Sequence, residues 1–219
     1  MVEIATSILT VPKDKIIKTI YNLETAKTDY FHIDVMDGLF VESFTNEIME
    51  EYCKYIKSIS NIPLDIHLMV KDVKKYIDIY LNYEPNIITF HIEAVKNEKQ
   101  AIGLINYIKS NNCKVGIAIN PNTDISKIYN LLKYIHMVTI MTVEPGKGGQ
   151  ALIPETLNKI EELKNYIEEN NIEIDIEADG GINLKTVESV KKVGANILVA
   201  GTAILIAKDY KVIIDELKK

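Results

Sequence analysis

The chain has 219 residues, 47% hydrophobic and 26% charged, a globular composition that excludes intrinsic disorder. Its 25 basic residues, all of them Lys, stand against 31 acidic ones for a net charge of -6, which argues against a nucleic-acid partner and excludes an Arg fork as a phosphate ligand. The N-terminal MVEIATSILTVPKDK has an early acidic residue and no long apolar run, and no stretch reaches the ~18 apolar residues of a membrane span, so the sequence predicts a soluble cytoplasmic chain without a signal peptide.

Eight short runs rich in Ile and Val, each bounded by Asp, Asn, Gly or Pro, read as strands. In chain order they are EIATSIL (3–9), YFHIDV (30–35), LDIHLM (64–69), NIITFHI (86–92), KVGIAI (114–119), MVTIMTV (137–143), EIDIEA (173–178) and NILVA (196–200). Between them lie amphipathic stretches such as DKIIKTIYNL, KDVKKYIDIYL, EKQAIGLINYIKS, DISKIYNLLKYI, PETLNKIEELKNYIEEN and LKTVESVKKV. Their apolar residues recur every three or four positions, the spacing of one-sided surface helices. IPET and NPNTD supply capping-type starts, and NNC and VGAN supply stops. Cys53 and Cys113 lie far apart and form no C-x-x-C pair, so they read as two passive reduced thiols.

Strand–helix alternation implies right-handed crossovers and a parallel sheet. Eight repeats of about 27 residues match a compact (β/α)₈ TIM barrel occupying residues 1–219 as one domain. A doubly wound open sheet normally carries a glycine-rich phosphate loop after its first strand, and TSILTVPKD has no glycine there. The glycines cluster instead after strands six, seven and eight.

Reactive residues of a barrel sit at the C-terminal ends of its strands. His32 and Asp34 are two apart and share a face, and Asp65 and His67 repeat that relation on the next strand. His32, Asp34 and His67, joined by Asp179 from the opposite wall, form a His₂Asp₂ set that suits Zn²⁺, Mn²⁺, Fe²⁺ or Co²⁺. The competing reading is that these histidines are satisfied interior polar groups. Pro145-Gly146-Lys147-Gly148-Gly149-Gln150, Asp179-Gly180-Gly181-Ile182 and Ala200-Gly201-Thr202-Ala203 give three consecutive glycine-bearing strand ends, a backbone cradle for a phosphate.

Together the blocks SILT (7–10), HIDVMDGLFV (32–41), LDIHLMV (64–70), ITFHIEA (88–94), GIAINPNT (116–123), MTVEPGKGGQ (141–150), IEADGGI (176–182) and LVAGTAI (198–204) resemble the ribulose-phosphate 3-epimerase family along almost the whole chain. The resemblance implies metal-assisted, reversible epimerisation of D-ribulose 5-phosphate to D-xylulose 5-phosphate at C3, in the pentose phosphate pathway. It implies His32, Asp34, His67 and Asp179 as ligands of one divalent metal ion per subunit, with Asp34 and Asp179 also moving the proton. Ser7, His67, Met36, Met69 and Met141 line the sugar site by the same resemblance. The phosphate lies against Gly146, Lys147, Gly148, Gly149, Gly180, Gly181, Gly201 and Thr202. Relatives form homo-oligomers.

The chain departs from the family pattern at Leu39, usually His, at Glu42-Ser43-Phe44, usually Pro-Asn-Leu, at Lys147, usually Phe, and at Ala178, commonly Val. Lys147 reads either as a cation beside the phosphate or as a solvated loop tip. His91 and Glu93 fit a family block with a supporting part rather than a direct role, and His136 falls at the non-catalytic end as a surface residue. Three alternatives remain. An epimerase of D-allulose 6-phosphate would tend to lose GKGGQ and ADGGI, both present here. A Schiff-base aldolase needs an inward strand Lys, and the runs offer only Lys114, at the wrong end of its strand. A non-catalytic phosphosugar-binding barrel rests on the altered 39–44 loop alone.

Overall fold

Each predicted strand pairs with its neighbour in sequence. In the computed structural model, which describes residues 2–219, the strands are β1 (Glu3–Ser7), β2 (Tyr30–Met36), β3 (Leu64–Met69), β4 (Ile87–His91), β5 (Lys114–Ile119), β6 (Met137–Met141), β7 (Asp175–Asp179) and β8 (Ile197–Ala200). All neighbours are parallel, and β8 pairs back onto β1, so the sheet closes into a (β/α)₈ barrel with no free edge. The outer ring holds α1 (Ile16–Ala26), α2 (Asn46–Ile59), α3 (Val73–Leu81), α4 (Glu98–Ser110), a 3₁₀ helix (Ile125–Tyr134), α5 (Thr156–Glu169), α6 (Val187–Lys192), α7 (Thr202–Leu205) and α8 (Tyr210–Lys218).

Alternation along each strand divides its residues between two cores. Phe31, Ile33 and Val35 of β2, with Leu64, Ile66 and Leu68 of β3, belong to the large apolar core shared with the helices. Each such fully buried side chain contributes about 1.5–3 kcal/mol. The intervening residues of these strands are His32, Asp34 and Met36, then Asp65, His67 and Met69. Inside the barrel a small cluster of Ala5, Ile87, Met137, Ile197 and Val199 packs by itself. β2 and β3 thus deliver polar side chains toward the barrel axis while their apolar ones hold the helices.

Two local expectations differ from the structure. The fifth crossover is a ten-residue 3₁₀ helix rather than an α-helix. Its buried Ile125, Ile128 and Leu131 are three apart, which matches three residues per turn and lines them up on one face. Asp124 caps it by accepting from Ser126 N at 2.9 Å. IPET supplies no side-chain cap to α5: Glu155 stands at the cap position without such a bond, and Thr156 Oγ1 donates backwards to Ile153 O at 2.6 Å. Both cysteines are buried and free, and burial pushes the Cys113 thiol up to about 12 and Cys53 further still, as passive thiols require.

Candidate active site

The four predicted ligand side chains meet. In the β2–β3 register Asp34 stands opposite His67, and His32 opposite Asp65, so a two-residue spacing on each strand becomes a cluster across both. Asp179 ends β7, beside Met141 of β6 and Val199 of β8. One donor atom from each of His32, Asp34, His67 and Asp179 lies within 4.8 Å of all the others. His32 Nε2 is 3.5 Å from Asp34 Oδ1 and 3.6 Å from Asp179 Oδ2. His67 Nδ1 is 3.6 Å and 3.1 Å from the same two oxygens.

None of these approaches has hydrogen-bond geometry: His32 Nε2 and His67 Nδ1 are fully buried polar atoms without a partner among the described residues. Leaving such atoms unpaired costs about 1–3 kcal/mol each. The opposite ring nitrogens are engaged, His32 Nδ1 with Asp65 Oδ2 at 2.5 Å and His67 Nε2 with His91 Nε2 at 2.9 Å. Two imidazole nitrogens with no other partner, converging with two carboxylate oxygens, form a donor set that a divalent transition metal fits.

The electrostatics agree with that fit. Burial works against a charged His32 and His67, yet the facing carboxylates outweigh it and raise both imidazoles, His32 well above its usual range. Burial likewise works against ionised Asp34 and Asp179, and the two histidines overcome it and hold both carboxyls low. Beneath them burial and the charge of Asp65 push Glu177 well up, favouring the protonated form of this fully buried residue, with Thr139 Oγ1 donating to its Oε1 at 2.7 Å. The pocket is built to hold positive charge.

Above the cluster opens a cavity of about 280 Å³, near the lower end of small-ligand sites. Ser7, Asp34, Met36, Met69, Met141, Asp179, Gly146, Lys147, Gly148, Gly149, Gly180, Gly181, Gly201 and Thr202 all line it, while His32 and His67 lie fully buried beneath. Ser7 Oγ donates to Asp34 Oδ2 at 2.7 Å. Met36 and Met69 stand opposite one another in register and form a nearly dry apolar wall. Thr10, Val143 and Ile206 also line the cavity, and no site role was expected of them from the sequence.

Two glycines show why the strand-seven loop admits no other residue. Gly180 and Gly181 have φ of +117° and +68°. A Cβ on Gly181 would fall 2.7 Å from Leu152 Cα, and one on Gly180 would strike Val143. The strand-six loop is braced by Gln150, whose Nε2 donates to Glu144 O at 2.6 Å and to Lys147 O at 2.8 Å. Lys147 itself is exposed on the rim.

The divergent 39–44 loop is well tied down. Asp37 Oδ1 accepts from Leu39 N and Phe40 N, each at 2.9 Å, and its Oδ2 accepts from Lys71 N at 2.7 Å. Ser43 Oγ donates to Gly146 O at 2.7 Å, joining this loop to the strand-six loop. Leu39 points outward, 77% exposed, and Phe40 packs on the His91 ring at 4.9 Å. His136 lies at the other end of the barrel, as predicted, but half-buried rather than on the surface, because Val115 N donates to its Nδ1 at 3.2 Å. Asp65 and Glu177 had no role in the sequence reading. Their signal was the same two-residue spacing before His67 and Asp179 that joined His32 to Asp34.

Residues 3–205 match the model of the "Ribulose-phosphate 3 epimerase family". The chain is 39% identical to the ribulose-phosphate 3-epimerase of Methanocaldococcus jannaschii, covering 100% of this chain and 91% of that protein. It is 35% identical to the Bacillus subtilis protein of the same name, over 100% and 99% of the two chains, and 36% identical to the Escherichia coli one, over 88% and 84%. Among solved structures it is similar to a 3-hexulose-6-phosphate synthase, with TM-score 0.72, 16% identity and coverage of 99% and 98%. It is also similar to KGPDC from Streptococcus mutans, with TM-score 0.73, 12% identity and coverage of 100% and 96%. At such identities these two structures speak for the barrel fold alone.

Proposed function

The chain belongs to the ribulose-phosphate 3-epimerase family, and from that premise we propose that it interconverts D-ribulose 5-phosphate and D-xylulose 5-phosphate, one of Asp34 and Asp179 removing the C3 proton and the other delivering its own proton to the opposite face of C3. It is an enzyme of the isomerase class, and its substrate is a phosphorylated sugar. The observation that carries the proposed mechanism is the meeting of Asp34 Oδ1 and Asp179 Oδ2 with two unpartnered imidazole nitrogens on the floor of a glycine-rimmed cavity.

The C3 proton lies next to the C2 carbonyl, so its removal leaves a 2,3-enediolate whose negative charge must be stabilised. His32 Nε2, His67 Nδ1, Asp34 Oδ1 and Asp179 Oδ2 would hold one divalent cation, of Zn²⁺, Fe²⁺, Mn²⁺ or Co²⁺ type, which supplies Lewis-acid stabilisation of that charge. Each aspartate keeps a second oxygen for proton transfer. Asp34 Oδ2 is oriented by the Ser7 hydroxyl, and Asp179 Oδ1 is left over on the opposite wall. Inversion at C3 requires a base on one face and an acid on the other, and the two carboxylates exchange these roles with reaction direction. Their side chains are the open members of the cluster, 8% and 11% exposed, while both histidines are sealed off. The methionine wall keeps bulk water from the carbanionic carbon. With no Arg in the chain, the phosphate is held by backbone N–H groups of the strand-six, strand-seven and strand-eight loops, with Lys147 beside them. The same reading includes assembly with further copies of the chain and a cytoplasmic location. No described helix is long and apolar enough to cross a membrane.

The test is parallel turnover of ribulose 5-phosphate and allulose 6-phosphate, first on protein stripped of metal and then on protein reloaded with Zn²⁺, Mn²⁺ or Fe²⁺. Metal-dependent xylulose 5-phosphate formation with much weaker hexulose turnover is the expected result. Activity that survives stripping removes the cation, stronger hexulose turnover moves the substrate to six carbons, and inactivity on both sugars overturns the epimerase assignment.

A further inference from the structure

Three of the chain's four histidines stand in one row, and the third has no place in the chemistry above. His91 ends β4, is fully buried, and touches neither the cavity nor either catalytic carboxylate within ion-pair distance. Its Nε2 lies 2.9 Å from His67 Nε2, and its Nδ1 lies 3.2 Å from Glu93 Oε2. The two imidazoles are within 18° of parallel with centroids 5.0 Å apart. That separation, so much larger than the nitrogen–nitrogen distance, means the rings meet edge to edge, the arrangement of an N–H···N hydrogen bond. Glu93 is anchored in turn, because Asn120 N donates to its Oε1 at 2.9 Å. Phe40 packs against the His91 ring.

The protons along this row follow from bonding rules. Two facing ring nitrogens can bond only if one carries hydrogen and the other a lone pair. His67 Nδ1 is the nitrogen that faces the ligand oxygens of Asp34 and Asp179, so as a ligand it must offer its lone pair. Hydrogen therefore sits on His67 Nε2 and is donated to His91 Nε2. A neutral His91 then carries its own hydrogen on Nδ1, directed at the Glu93 carboxylate, which can only accept. Every atom in the row is satisfied by this one arrangement and by no other neutral one.

We infer that Glu93, acting through His91, is a positioning residue that fixes His67 in its Nε2–H tautomer and so aims the Nδ1 lone pair at the metal. Neither residue touches substrate. The inference rests on the cation reading of the site, and it extends that reading by a two-residue support reaching from His67 to the loop after β5. Metal-binding histidines held in this way by a hydrogen-bonded carboxylate typically lose about 10–100-fold in metal affinity when the support is removed.

The experiment is a Zn²⁺ titration against a chromogenic chelator, with the thermal midpoint of the metal-free protein measured alongside. It compares the parent protein with Glu93→Gln, His91→Gln, His91→Phe and His67→Ala. Glu93→Gln and His91→Phe are expected to weaken Zn²⁺ binding about 10–100-fold. His91→Gln places a carboxamide oxygen where Nε2 stood, so it should accept from His67 and recover much of the lost affinity. If His91 serves only as an aromatic plate under Phe40, the order reverses: Phe binds Zn²⁺ like the parent and Gln does not. That reversal, or unchanged affinity in Glu93→Gln, overturns the inference. Loss of binding that merely tracks a collapsed metal-free midpoint in both His91→Phe and Glu93→Gln overturns it as well. A parent protein that binds no Zn²⁺, or binds it equally well as His67→Ala, overturns the metal reading instead.

Discussion

Asp65 Oδ2 lies 2.5 Å from His32 Nδ1, on the far side of the ring from the ligand cluster. The pair stands directly opposite in the β2–β3 register, and both side chains are buried. The carboxylate accepts a hydrogen bond from Nδ1–H and so leaves Nε2 with the free lone pair. Asp65→Asn keeps the shape and removes the charge, so metal affinity should fall about 10–100-fold, with kcat/KM falling in parallel at limiting metal. Chelator competition measures the first and initial rates the second. Affinity equal to the parent would show that the short contact does not support the site.

Ser7→Ala removes the hydroxyl that donates to Asp34 Oδ2. A donor to the ionised carboxylate favours the charged form, so its loss raises the Asp34 pKa. The acid limb of the kcat/KM profile should move to higher pH, with a maximal rate lower by about tenfold, the usual worth of a hydrogen bond to a charged group. An unmoved limb with a lower plateau would assign Ser7 to substrate binding alone.

Glu177 links pH to stability in the opposite sense from the ligand carboxylates. Burial and Asp65 raise its pKa in the folded chain above the ordinary 4.5. Below that value both folded and unfolded chains hold the proton. As pH rises through it, the unfolded chain ionises and the fold does not, so stability drops until the raised folded value is reached. Glu177→Gln abolishes this loss while keeping the Thr139 acceptor. Metal-free Glu177→Gln should resist urea better than the parent at pH 7, with the advantage shrinking toward pH 4. An advantage independent of pH would mean that packing, not protonation, is responsible.

Lys147 is exposed on the cavity rim, and its stem adds nothing to the core. If it meets the phosphate, Lys147→Ala should raise KM about tenfold at unchanged kcat, because phosphate contact is made equally in ground and transition states. The effect should fade at high salt. Identical KM values at low salt would make the residue a solvated loop tip.

The barrel was legible because period-two runs and helical spacing reinforce each other eight times, and errors at strand ends of one or two residues left the register intact. The ligand cluster was legible for a similar reason. His32 and Asp34 share a strand face, and parallel pairing brings Asp34 opposite His67. The 3₁₀ helix was not, since apolar residues at 125, 128 and 131 fit a period of 3.0 and of 3.6 equally well over so few turns. The part played by Asp65, Glu177 and His91 was hidden for another reason. A buried carboxylate or imidazole acquires its meaning from the neighbouring strand, and only the closed barrel shows which nitrogen of His32 or His67 remains free.

The proposed phosphate grip of main-chain amides has an evolutionary consequence. An alanine scan would sense it only through backbone distortion and clash, because Gly180 and Gly181 have no side chain to delete. No single codon change can reverse its polarity or retune it to a different anion, as replacing an arginine could. The handle by which the sugar would be held is therefore hard to alter, whereas the 39–44 loop already departs from the family pattern. Divergence of this scaffold would then change which carbon chain is processed long before it changed the group by which that chain is carried.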